Sequence, residues 1–173
     1  MERGLFLYDV ISMINPTSHL WSGEFFCTKR ITKDGSVCIG RGSGVVRGRL
    51  FSLCGGPLQQ IMGTKYFPDP DFFDGTILAI EHGEPYGNAL AGLHMLRAFA
   101  AAGVFDKAAG VITGKMDELP RYFLQKVINE GVHREELVIL ENVDFVQHTP
   151  MTILPTGAKC EIDCENVKFT ILE

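Results

Sequence analysis

The sequence predicts an α/β domain on a mixed, partly parallel sheet, with antiparallel strands flanking a helix-packed centre. Three observations carry this. Thr76–Ile80, Ala109–Thr113 and Leu137–Leu140 are short apolar runs, as strands buried on both faces are. Helical stretches separate them, about Tyr86 to Ala102 and Glu118 to Glu130, so the order β-α-β-α-β favours parallel strands under crossing helices. On either side of this centre the chain is rich in strand signals, which suggests a smaller antiparallel layer beside the parallel one.

Taken in order, Glu2 to Asn15 reads as a short helix stopped by Asn15-Pro16. The first ~20 residues are expected to form a helical arm, and 21–173 one compact domain. Glu24–Thr32 and Val37–Ile39 flank Lys33-Asp34-Gly35-Ser36, and Asp-Gly is a strong hairpin signal. After the glycine-rich Gly40–Gly48, Val45–Leu53 reads as a strand. Pro57 then opens a short helix, Leu58–Met62, that ends at Gly63. Tyr66–Gly75 reads as a Pro/Asp-rich loop. Gly103 and Gly131 are placed to cap the two longer helices, the second of which carries Leu119, Phe123 and Val127 on one side. In the tail, Thr152–Leu154, Ala158–Ile162 and Val167–Leu172 have strand character.

Composition excludes several classes. The chain has 173 residues, 46% hydrophobic and 21% charged, which is ordinary for a globular domain and excludes a disordered chain or a rod. The formal net charge of −5 excludes a global basic field, so no nucleic-acid partner is expected. The longest apolar stretch, Ala89–Phe105, is interrupted by His94 and Arg97, so no membrane partner is expected. The first residues lack a secretory leader pattern, and five cysteines is an odd count that favours reduced thiols in the cytoplasm. Cys160 and Cys164 lack companion ligands at zinc spacing, so no metal and no other cofactor is expected.

Two residues stand out chemically. Glu81 directly follows the apolar run Ile77–Ile80, and the carboxyl end of a parallel strand is where sites are built. His148 lies in a loop after the third apolar run, just before Thr149-Pro150, where an imidazole can serve as a general base. Together they offer an acid–histidine pair on neighbouring strand ends, two-thirds of a nucleophilic triad. The bland alternatives are a turn-capping carboxylate and a surface histidine. No serine sits in a Gly-x-Ser-x-Gly elbow; Ser43, within Gly40-Arg41-Gly42-Ser43-Gly44, resembles a bulged strand segment. Cys54 is the one thiol beside a helix start, and reads either as a reactive group or as a small buried hydrophobe. His94 is expected to face an interface on the long helix, and His82 is a neighbour of Glu81.

Five segments in order carry a resemblance. They are Gly48-Arg49-Leu50 through Cys54-Gly55-Gly56-Pro57-Leu58; Gly63-Thr64-Lys65-Tyr66-Phe67-Pro68; Gly75–Glu81; Ala102–Lys107 with Gly110–Gly114; and His148-Thr149-Pro150 with Leu154–Ala158. From about Val45 onward the sequence resembles the C-terminal domain of the LD-carboxypeptidase family of serine peptidases. That family includes the murein tetrapeptide carboxypeptidases and the microcin-immunity peptidases. Pro57 departs from the family's usual Asn, and Gln147 from the Gly that precedes its histidine.

The resemblance implies a swivelling β/β/α domain. It implies hydrolysis of the amide bond between an L-centre and a terminal D-amino acid of a murein peptide or a peptide-like small molecule. Glu81 and His148 would be catalytic, and Gly55 and Gly56 would bind substrate. The serine would come from an N-terminal nucleophile domain, in cis or in trans, because no such domain fits in this chain. The chain alone is then expected to be inactive, and a homodimer is the family's usual assembly. The alternative is a non-catalytic peptide-binding or dimerisation module that keeps the fold.

Overall fold

The computed structural model describes residues 38–81, 89–115, 118–145 and 153–172. The helical arm expected over residues 1–20 and the Asp34-Gly35 hairpin lie outside the described residues.

Ile39–Arg41 forms β1 and Val45–Cys54 forms β2, joined through Gly42 and Gly44, both at positive φ. A helix, α1, runs from Gly55 to Gln60, two residues ahead of the proline expected to open it. One 3₁₀ turn, Pro70–Phe73, interrupts the following loop and buries Phe73. Then come β3 (Thr76–Glu81), α2 (Ala89–Ala101), β4 (Gly110–Thr113), α3 (Glu118–Lys126), β5 (Val138–Glu141), β6 (Lys159–Asp163) and β7 (Lys168–Ile171).

These strands make one seven-stranded sheet in the order β1-β5-β4-β3-β2-β6-β7. The four central strands β2, β3, β4 and β5 are parallel. Every residue of β4 and β5 is buried, and all of β3 but its last, as in strands covered on both faces. The antiparallel pairs β1–β5, β2–β6 and β6–β7 continue this sheet at its two edges; among the described residues they do not form a separate layer. The reason is the length of β2. Its 10 residues pair with β3 through the second half and with β6 through the first half.

Alternation across the pleat gives the sheet two apolar faces. Leu53, Leu78, Ile80, Val111 and Ile139 face the helices and meet Phe99 of α2 and Leu124 of α3. Leu50, Ile77, Ile112, Leu140, Ile162 and Phe169 fill the other face with Val143 and Phe145.

Three local expectations are corrected. After Lys126 the second long helix widens into a π turn, Val127–Val132, and ends at His133 in the left-handed region (φ 59°), so Gly131 is not its cap. Ile153 and Leu154 form no strand. Cys38 is disulfide-bonded, so the expectation of five reduced thiols fails there; Cys54, Cys160 and Cys164 are free.

Candidate active site

Because β2, β3, β4 and β5 run parallel, their last residues gather at one edge of the sheet. These are Cys54, Glu81, Thr113 and Glu141. Glu81 is the sixth residue of its strand and the first not fully buried, so its carboxylate emerges where the apolar run stops. It is registered across from Cys54 on β2.

Cys54 is exposed and precedes the first turn of α1 without giving it a side-chain cap. Desolvation by the surrounding protein raises its thiol, and the Glu81 charge raises it further, against a hydrogen bond with the Gly56 backbone. The Cys54 nucleophile reading loses ground here, since a reactive thiol needs an electropositive setting. Gly55 is buried: a Cβ there would stand 2.2 Å from Met95 Sδ, so the missing side chain lets α1 close onto α2. Gly56 is half-buried at the start of α1.

The next strand end is built from polar groups that sequence inspection missed. Gly114 N–H donates to the Ile80 carbonyl at 3.4 Å, tying the exit of β4 to the residue before Glu81. Lys115 follows, its side chain only 8% exposed, and pairs with Asp144 at 3.3 Å. The Thr113 hydroxyl is buried with no hydrogen-bond partner among the described residues. The only sequence signal for this cluster is a Lys and an Asp placed just beyond apolar strands.

Glu141 ends β5 with a fully buried side chain. Its Oε1 accepts from Arg41 Nε at 2.9 Å and Gln125 Nε2 at 2.7 Å. This links edge strand β1, strand β5 and helix α3.

His148 lies outside the described residues, and so does His82. What the structure places is the chain on either side of residues 146–152. Upstream, Val143 N–H donates to the Thr113 carbonyl at 2.9 Å, so the chain leaving β5 stands over the end of β4. Downstream, Ser52 N–H donates to Thr156 Oγ1 at 3.3 Å and Gly157 N–H to the Leu50 carbonyl at 2.8 Å, both on β2. β4 and β2 are the two neighbours of β3. The idea that the pair sits on neighbouring strand ends is corrected: β5, which precedes His148, is separated from β3 by β4. His94 is exposed on α2, so it packs in no interface within the described chain, and Ser43 is exposed between β1 and β2. Among the described residues no group of three or more His, Cys, Asp or Glu is gathered to hold a metal. No described helix is long and apolar enough to cross a membrane.

The carboxyl edge of the parallel strands thus gathers a half-buried glutamate beside a Gly-Gly helix start. Residues 47–162 match the LD-carboxypeptidase C-terminal domain, and the chain belongs to that family. The microcin C7 self-immunity protein MccF of Escherichia coli is 26% identical over 178 aligned residues, covering 99% of this chain and 50% of that protein. A structure of its active-site mutant in the apo state superposes with a TM-score of 0.64 at 27% identity, covering 79% of this chain and 41% of that one. The MccF-like protein of Bacillus anthracis str. Ames shares the fold, with a TM-score of 0.65 at 22% identity over 78% of this chain and 42% of that one. This chain therefore spans about half the length of the relatives it matches.

Proposed function

We propose that this chain is the C-terminal half of a serine-type LD-carboxypeptidase, supplying the glutamate and histidine of a Ser-Glu-His triad. The observation that carries the reading is the position of Glu81 at the end of β3, with the described chain on either side of His148 held at β4 and β2.

In this reading a serine Oγ from an N-terminal nucleophile domain, in cis or in trans, attacks the scissile carbonyl. His148 takes the serine proton and returns it to the leaving amine of the terminal D-amino acid as the C–N bond breaks. Water then hydrolyses the acyl-enzyme, with His148 again the base. Glu81 orients the imidazole and stabilises its charged form. Backbone groups of Gly55 and Gly56, at the start of α1, contact the substrate; Pro57 offers no N–H. The chemistry needs no metal or organic cofactor, and the protein works in the cytoplasm as a homodimer on murein tetrapeptide.

A second substrate reading follows from the relatives. MccF is named for microcin C7 self-immunity, and its solved structures include complexes with glutamyl sulfamoyl guanosine and aspartyl sulfamoyl adenosine. The same triad would cleave an aminoacyl nucleotide of that type.

The native protein, isolated from its source cells with an antibody to this chain, is given murein tetrapeptide and aspartyl sulfamoyl adenosine in parallel. Release of D-alanine or of aspartate assigns the substrate. His148→Ala is expected to lower kcat about a thousandfold or more. Release unchanged in both His148→Ala and Glu81→Ala overturns the triad. Tight peptide binding without turnover, indifferent to both substitutions, establishes the non-catalytic module instead.

A further inference from the structure

Three residues, Gly42-Ser43-Gly44, join β1 to β2. Yet four strand spacings separate these two in the order β1-β5-β4-β3-β2. Laid flat, such a sheet would hold them about 19 Å apart. The backbone from Arg41 to Val45 reaches at most about 14 Å. The sheet is therefore rolled, with β1 brought round to β2 and the Leu50, Ile77, Leu140 and Phe169 core inside. Gly110 of β4 faces β6 across that interior: a Cβ there would stand 3.0 Å from Ile162 Cδ1.

The roll has no ladder where it meets. Among the described residues no backbone pairing joins β1 to β2 or to β6. Cys164, the first residue after β6, holds the seam. Its N–H donates to the Gly44 carbonyl at 3.1 Å, which continues the β2–β6 ladder. Its buried thiol donates to the Arg41 carbonyl at 3.0 Å and lies 3.3 Å from the Gly42 carbonyl. Burial, and then the charges of Glu165 and Asp163, raises this thiol's pKa, so it keeps the proton it donates. A thiol is nonetheless a weak donor. The approach is closest at Gly40, where a Cβ would collide with the Cys164 carbonyl oxygen. The turn that carries the thiol is itself strained, since the β-branched Val167 stands at φ 52°.

We infer that Cys164 and Gly40 form a clasp at which the rolled sheet opens locally, the β6–β7 turn lifting from β1 while the ladders of the central strands stay intact. The clasp lies at the amino end of β2, opposite the edge that bears Glu81, so it stands apart from the catalytic reading above.

The test times iodoacetamide labelling of the folded full chain, with peptide mapping to read each thiol separately. Cys164 and Cys160 are both buried, but Cys160 lies within β6, registered with Gly48, and is released only when the β2–β6 ladder breaks. The clasp predicts that Cys164 labels about tenfold faster than Cys160 or more. Its rate should hardly change in low urea, whereas that of Cys160 should climb steeply, because only the second exposes much new surface. Labelling of Cys164 no faster than Cys160, or with the same urea dependence, overturns the inference, since the seam then opens only with the whole fold. Gly40→Ala wedges the seam: Cys164 should label at a rate approaching that of free cysteine while Cys160 stays protected. A folded Gly40→Ala chain in which Cys164 keeps its full protection also overturns the clasp. Should Gly40→Ala fail to fold, the rates and urea dependences of the unsubstituted chain decide alone.

Discussion

Glu81, the last residue of β3, is registered directly across from Cys54, the last residue of β2. The carboxylate and the thiol therefore share one end of the sheet; desolvation raises the thiol's pKa, and the negative charge of Glu81 raises it further. Glu81→Gln removes that repulsion, lowers the Cys54 pKa, and is expected to speed its alkylation at neutral pH about twofold or more. In the unsubstituted protein Cys54 should react more slowly than free cysteine. Timed iodoacetamide labelling with peptide mapping measures both, and equal rates in the two proteins would separate the groups.

Cys160 offers a pH test. Burial alone pushes its thiol up from about 9 to about 12. The unfolded chain loses this proton near its ordinary pKa while the folded chain keeps it. The contribution of this thiol is therefore complete below about pH 9 and is lost as the pH rises towards 12. The slope is at most about 1.4 kcal/mol per pH unit. Cys160→Ala flattens that part of the profile, and the difference between the two urea-melt series isolates it from lysines and tyrosines titrating nearby.

Gly48 and Gly44 fail for different reasons when replaced. A Cβ at Gly48 would stand 2.4 Å from the Gly75 carbonyl oxygen, a backbone atom that cannot step aside without moving β3. Gly48→Ala is expected to cost about 2 kcal/mol or more. Gly44 has nothing within 4 Å but sits at φ +82°, so Gly44→Ala should cost only about 1 kcal/mol. Denaturant midpoints rank the two, and the reverse order would misplace β2 against β3.

The buried Glu141 predicts an asymmetry. Arg41→Ala removes a guanidinium that is 44% exposed, yet it leaves the carboxylate buried with one donor fewer. The expected loss is about 1–2 kcal/mol, above that of an ordinary surface pair and discounted for solvent at Arg41. Arg41→Ala/Glu141→Leu should recover most of it. Thermal melts of both variants decide, and a double variant weaker than the single one would refute a desolvation origin.

The parallel centre was legible because apolar runs such as Thr76–Ile80 and Leu137–Leu140 have one physical solution, strands covered on both faces. Glu81 was legible for the same reason: a charge ending such a run has to emerge at the edge of the sheet. What the sequence by itself determined was thus the α/β class, the order of its strands and helices, and the chain's resemblance to a peptidase half-domain. Only the tertiary structure decided that the antiparallel strands continue the same sheet, since the choice of neighbour for β2 is made across more than 100 residues of chain. Only it brought Lys115 to Asp144 and Arg41 to Glu141, because a side chain's partner after a loop is set by strand order rather than by any local periodicity.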